Sequence, residues 1–94
     1  MKKTLSINIS GFVFHIDEDA YEKLHRYLEA IKFHFRGFKG KDEVIADVEA
    51  RVAEILQKKI SESKEVITLE DVDEVIGIMG QPSDFGVEEE DGAG

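Results

Sequence analysis

His15, Asp17 and Asp19 fall at every second position of Phe14-His15-Ile16-Asp17-Glu18-Asp19. On a continuous strand, alternate side chains share a face, and one imidazole beside two carboxylates is a donor set for a divalent metal or a small hydrolytic centre. The same residues also open a helix-forming run. Asp17 reads as an N-cap with Glu18 and Asp19 in the first turn, where the helix dipole favours negative charge. Alternation does not persist into a helix, so the three side chains diverge if the cap is real. A small metal-dependent domain or enzyme using His15, Asp17 and Asp19 is therefore the alternative, and the cap is the leading reading.

Other chemical patterns are weaker. His25 and His34 lie nine positions apart, without the i, i+4 spacing of a helical zinc pair. Gly37-Phe38-Lys39-Gly40-Lys41-Asp42 has two residues between its glycines where a phosphate loop has four, and an Asp where Ser or Thr should follow the Lys, so it reads as a helix connector. Cysteine is absent, which excludes a disulfide framework, a Cys-ligated zinc and a thiol nucleophile. The many carboxylates fall on polar faces, where solvation explains them. These residues make no catalytic constellation and no cofactor-binding pattern.

The elements that would position them begin with a hairpin. Ser10-Gly11 is a two-residue loop between runs rich in β-branched and aromatic residues, which pairs Ile9 with Phe12, Ile7 with Phe14 and Leu5 with Ile16. These six share one apolar face, while Ser6, Asn8, Val13 and His15 take the other. Such a hairpin is marginal alone and needs a cover. A first helix should run from Asp17 to about Arg36, with Ala20, Tyr21, Leu24, Tyr27, Leu28, Ile31 and Phe35 inward and Gly37 as its stop. Asp42 should cap a second, with Val44, Ile45, Val48, Val52, Ile55 and Leu56 inward and Asp47, Arg51, Glu54 and Lys58 opposite. The pattern fades at Ser61-Glu62-Ser63-Lys64.

Thr68 should cap the third helix with Asp71 as a short capping-box acid, and Ile67 and Val72 stand at the staple positions. Its inward side is Leu69, Val72, Val75, Ile76 and Met79, with Gly80 and Pro82 as the stop signal. The fold class is α+β: an N-terminal two-stranded antiparallel β-hairpin followed by three helices, ββααα. Residues 1–86 form one small domain and 87–94 an acidic disordered tail or linker. Both edges of the two-stranded sheet would be open.

Charge is unevenly placed. Residues 1–41 hold eight Lys/Arg and five Asp/Glu, residues 42–94 four and sixteen, so halves of +3 and −12 sum to the net −9. An acidic chain repels phosphate, and direct DNA binding through Lys23, Arg26, Lys32, Arg36, Lys39 and Lys41 lacks a helix-turn-helix pattern. Lys2 and Lys3 resemble a signal n-region, but Ser6, Asn8 and Ser10 interrupt the apolar run that would follow. No stretch approaches the ~20 apolar residues of a membrane span.

Four phrases also carry a resemblance: Ser-Ile-Asn-Ile-Ser-Gly-Phe-Val-Phe-His-Ile-Asp-Glu-Asp-Ala-Tyr (6–21), Tyr-Leu-Glu-Ala-Ile (27–31), Asp-Glu-Val-Ile-Ala-Asp-Val-Glu-Ala-Arg-Val-Ala-Glu (42–54) and Val-Asp-Glu-Val-Ile-Gly-Ile-Met-Gly-Gln-Pro-Ser-Asp-Phe (72–85). In this order they resemble the N-terminal soluble region of phage shock protein C (PspC) domain proteins from Bacteroidetes-type bacteria. The last phrase is also similar to the end of small helical sensor domains found before bacterial membrane segments. In that family the region precedes a PspC domain with its transmembrane helix, and the proteins are described as stress-responsive transcriptional regulators at the inner membrane. The resemblance implies a soluble cytosolic sensory or assembly domain of a membrane-anchored protein, with the membrane segment outside these 94 residues. It supplies no catalytic residue.

One residue does not fit the inward stripes. Phe33 lies roughly opposite Leu24, Leu28, Ile31 and Phe35 at 100° per residue, among Glu22, Arg26, Glu29 and Arg36. Arg26, Phe33, Arg36 and Phe38 form the candidate surface for a protein partner, including a second copy of the chain. The sequence thus points to a non-enzymatic interaction module.

Overall fold

In the computed structural model of the chain, which describes residues 3–62 and 65–81, the order of elements is ββααα. The strands are β1 (Thr4–Ile9) and β2 (Phe12–Asp17), and the helices are α1 (Glu18–His34), α2 (Lys41–Glu62) and α3 (Leu69–Met79). Ser10 and Gly11 turn the chain with φ of 54° and 88°. Two positive φ values match the right-handed twist of the strands they join. The Asn8 Oδ1 accepts the Gly11 N–H at 3.2 Å and steadies the turn.

The strand register is the expected one, with Leu5 opposite Ile16, Ile7 opposite Phe14 and Ile9 opposite Phe12. Ile9, Phe14 and Ile16 are buried, and Leu5 and Ile7 pack half-buried against the same core. Phe12 departs from expectation: it is 45% exposed, although it shares a face with the buried Ile9. The helical cover therefore stops short of the β2 side of the turn.

A second departure concerns the sheet edges. The Ile67 N–H donates to the His15 carbonyl and the Asp17 N–H donates to the Ile67 carbonyl, each at 2.9 Å. This makes a one-residue parallel bridge to Ile16. The outer edge of β2 is thus closed at its C-terminal end by the residue expected only as a helix staple. Ile67 and Ile16 are both fully buried.

The helices keep their inward stripes but shift their ends. Asp17 occupies the N-cap position of α1 without a side-chain cap hydrogen bond. α1 stops at His34, and the chain continues through the tight turns Arg36 N–H to Phe33 C=O and Phe38 N–H to Phe35 C=O. Because these i to i+3 bonds absorb the helix end, Gly37 is not the left-handed residue; Gly40, with φ of 77°, is. α2 accordingly starts at Lys41, and Asp42 lies in its first turn rather than capping it. The Pro82 stop and the 87–94 tail lie outside the described residues.

α3 begins as expected. The Thr68 N–H donates to Asp71 Oδ2 at 3.0 Å and the Asp71 N–H to Thr68 Oγ1 at 3.4 Å, a complete capping box. Asp71 is buried, and Lys59 of α2 reaches its other oxygen at 3.6 Å while pairing with Glu74. At the far end, the Tyr27 hydroxyl donates to the Gly80 carbonyl and joins α3 to α1. The core threads all five elements: Ile9 of β1, Phe14 and Ile16 of β2, Leu24 and Ile31 of α1, Val52 and Leu56 of α2, and Val72 and Val75 of α3, with Ile67 of the loop between the last two helices.

Phe14 is 2% exposed, so Phe14→Ala should lower unfolding free energy by about 3–5 kcal/mol. Urea melts followed by circular dichroism should show most of the cooperative transition lost, since small domains are marginally stable.

The Lys59 ammonium has its pKa raised, chiefly by its hydrogen bond to Glu74 and then by the Glu74 and Asp71 charges, against an opposing effect of burial. A raised folded pKa contributes stability that is complete below the unfolded value and lost as pH climbs through the folded one. The wild-type advantage over Lys59→Met should therefore hold at neutral pH and shrink above about pH 10.4. Denaturant melts of both proteins across that range measure the difference.

Candidate partner-binding surface

Arg26 and Phe33 are separated by seven positions of α1, nearly two full turns, and so share one stripe about 10 Å apart along the axis. The opposite stripe carries Leu24, Tyr27 and Ile31 into the core. This geometry leaves Phe33 64% exposed, as its off-stripe position predicts. The aromatic ring does not stand alone. The Arg36 guanidinium carbon lies 3.9 Å from the ring centroid, and its Nη1 donates to the Phe33 carbonyl at 2.8 Å.

Carbonyl and ring together hold the guanidinium over Phe33. Cation–π stacking of this kind contributes about 0.5–1 kcal/mol at an exposed site. It also fixes two otherwise mobile side chains before any partner arrives, which reduces the ordering cost of binding. Phe38 is placed differently. Its ring meets Phe35 edge-on at 5.1 Å, and Phe35 is buried, so Phe38 is fastened to the core and leaves 40% of its surface exposed. Arg26 stands on the rim of the groove between α1 and α3, which is also lined by Lys23 and Asp73.

The surrounding charges are partly used internally. Lys23 pairs with Asp73 of α3, and Lys32 pairs with Glu29 at 3.5 Å. His34 presses its ring edge against Phe35 at 5.1 Å. Its Nε2 is buried with no hydrogen-bond partner among the described residues.

His15, Asp17 and Asp19 are spread over the end of β2, the N-cap position and the first turn of α1, and Asp17 holds the cap position without the side-chain cap bond expected of it. The exposed His15 Nδ1 meets Ser6 Oγ at 3.2 Å across the strands. Asp17 closes β2 and Asp19 lies inside the first turn of α1. Among the described residues no three His, Cys, Asp or Glu side chains converge well enough to hold a metal ion.

A feature absent from the sequence expectations lies along β2, where a groove of about 890 Å³ is lined by Val13, Arg51, Ile55, Lys58, Ile60 and Ile78 among others. Its signal was two aliphatic residues off their inward stripes: Val13 is 64% and Ile78 55% exposed. Comparison with known proteins is silent about both surfaces, since no family model, curated protein or solved structure matches the chain.

Phe33→Ala removes exposed surface and one stacking contact, so unfolding free energy should change by less than about 1 kcal/mol. Thermal melts of the two proteins check this. A larger loss would make Phe33 part of the folding core.

Proposed function

We propose that the chain is a non-enzymatic protein-interaction module, the cytosolic N-terminal domain of a membrane-anchored, PspC-like stress-responsive regulator. The observation that carries the interaction role is Phe33, exposed on α1 and locked under Arg36. Aromatic residues and arginine are enriched at protein interfaces relative to the rest of the surface. The regulator role rests on the four sequence phrases, and the ββααα fold is compatible with it. No helix among the described residues is long and apolar enough to cross a membrane, so in this reading attachment comes from a segment outside them.

The partner chemistry follows from charge. Arg26 and Arg36 flank Phe33, whereas the second half of the chain carries the −12 balance. An acidic partner surface with an apolar notch for Phe33 fits this surface, and the acidic second half of another copy supplies charge of the right sign. Nucleic acid fits poorly with a net charge of −9.

Sedimentation equilibrium tests the proposal. Reversible self-association should weaken as added salt shortens the Debye length from about 10 Å to about 3 Å, and Phe33→Ala should abolish it. Salt-resistant association that survives Phe33→Ala would place the contact on a strand edge. A monomer at every concentration would remove the second copy as the partner.

A further inference from the structure

In a two-residue hairpin, residues on one strand alternate between facing their partner and facing away. With Ile9 and Phe12 as the first pair, Phe12, Phe14 and Ile16 direct their backbone groups to β1, and Val13, His15 and Asp17 direct theirs outward. Ile67 takes the His15 carbonyl and the Asp17 N–H, both at 2.9 Å. The Val13 N–H and C=O and the His15 N–H remain, and none of them makes a hydrogen bond among the described residues. Three outward groups in a row are the template on which an extended chain pairs.

Beneath this free edge α2 continues as a ledge. Arg51, Ile55, Lys58 and Ile60 line it, and Ile78 of α3 lines the same groove. Val13 and Ile78, two of the large exposed hydrophobic residues of the chain, therefore flank one site. From these juxtaposed features we infer that the groove beside β2 binds an extended, acidic peptide segment of a partner protein by strand addition. This inference rests on the reading of the chain as an interaction module and adds a second contact to the Phe33 surface.

The observations select the occupant. An added strand lies about 4.8 Å from β2 and fits on the ledge, where its inward apolar side chain covers Ile55 and Ile78. A second copy pairing its own β2 edge across a two-fold axis would bring its own α2 ledge into the same space, so mutual occlusion disfavours it. Arg51 and Lys58, seven positions apart on α2, stand about 10 Å from each other along the axis, roughly the span of three extended residues. Neither makes an ion pair among the described residues. Glu54 lies between them and offsets part of their charge, leaving the ledge net positive on a chain of net −9. Carboxylates on alternate positions either side of an apolar residue stand about 13 Å apart, a separation that the long Arg51 and Lys58 side chains span by splaying outward.

The test is an amide-resolved NMR titration of the full 94-residue chain with the probe peptide acetyl-Thr-Glu-Thr-Val-Thr-Glu-Thr-amide. The largest shifts should fall on the Val13 and His15 amides and on Lys58 and Ile78, with slowed exchange of the Val13 and His15 protons. Arg51→Glu with Lys58→Glu, both exposed positions, should weaken binding by about ten-fold or more, as should replacing the probe's two Glu by Lys. Methylating the probe's central backbone nitrogen should also weaken it, whatever the variants do to the fold. Absence of shifts at Val13 and His15 overturns the inference. Shifts centred on Phe33 overturn it too, yet leave the module reading standing. If the Val13 and His15 amides are already protected in the free chain, dilution and truncation after Gln81 identify the occupant as a second copy or the chain's own C-terminal segment, and either result overturns it.

Discussion

Two backbone hydrogen bonds at Ile67 hold this fold together. A two-stranded hairpin is marginal in water, and α3 is a short helix that needs tertiary support. The bonds from Ile67 to His15 and Asp17 join the two at a point from which water is excluded, since Ile16 and Ile67 are fully buried. The next residue, Thr68, starts the capping box, and Asp71 within that box is reached by Lys59 from α2. Hairpin, α2 and α3 thus meet within five residues, 67–71. Removing a partner from the buried Asp71 carboxylate would leave a desolvated charge, which is why the cluster is organised around it.

How much of this was legible in the sequence depends on the range of each interaction. Alternation and Ser10-Gly11 together fixed the hairpin register, because a slip of one residue would turn Asn8 inward. Thr68 and Asp71 are three residues apart and could be read as a box directly. Phe33 was found by periodicity alone. The Ile67 bridge could not be read this way: its partner Ile16 is distant in sequence, and Val66-Ile67-Thr68 has equal claims as a helix lead-in and a strand. The end of α1 failed for a local reason, since Gly37 and Gly40 both offered a helix stop and only the turn bonds at Phe33 and Phe35 decide between them.

The candidate surfaces show the same division. Phe33 was legible as exposed, but its locking under Arg36 needs the coordinates of both side chains. The ledge beside β2 is built jointly by α2, α3 and the strand, which no single segment reports. The bridge at Ile67 also shapes that site, because it closes one end of the β2 edge and leaves Val13 open. One constraint therefore both completes the core and limits where an incoming strand can pair.

That coupling makes the cooperativity of the bridge the central physical claim. Native-state hydrogen exchange at the Asp17 and Ile67 amides tests it most directly. Both protons are donated in the bridge, so they should exchange only through global unfolding, with the same opening free energy as the buried-core amides of Leu24 and Val52. Exchange at Asp17 and Ile67 through a cheaper local opening, while Leu24 and Val52 stay protected, would show that the hairpin and the helices are separate units and contradict the account.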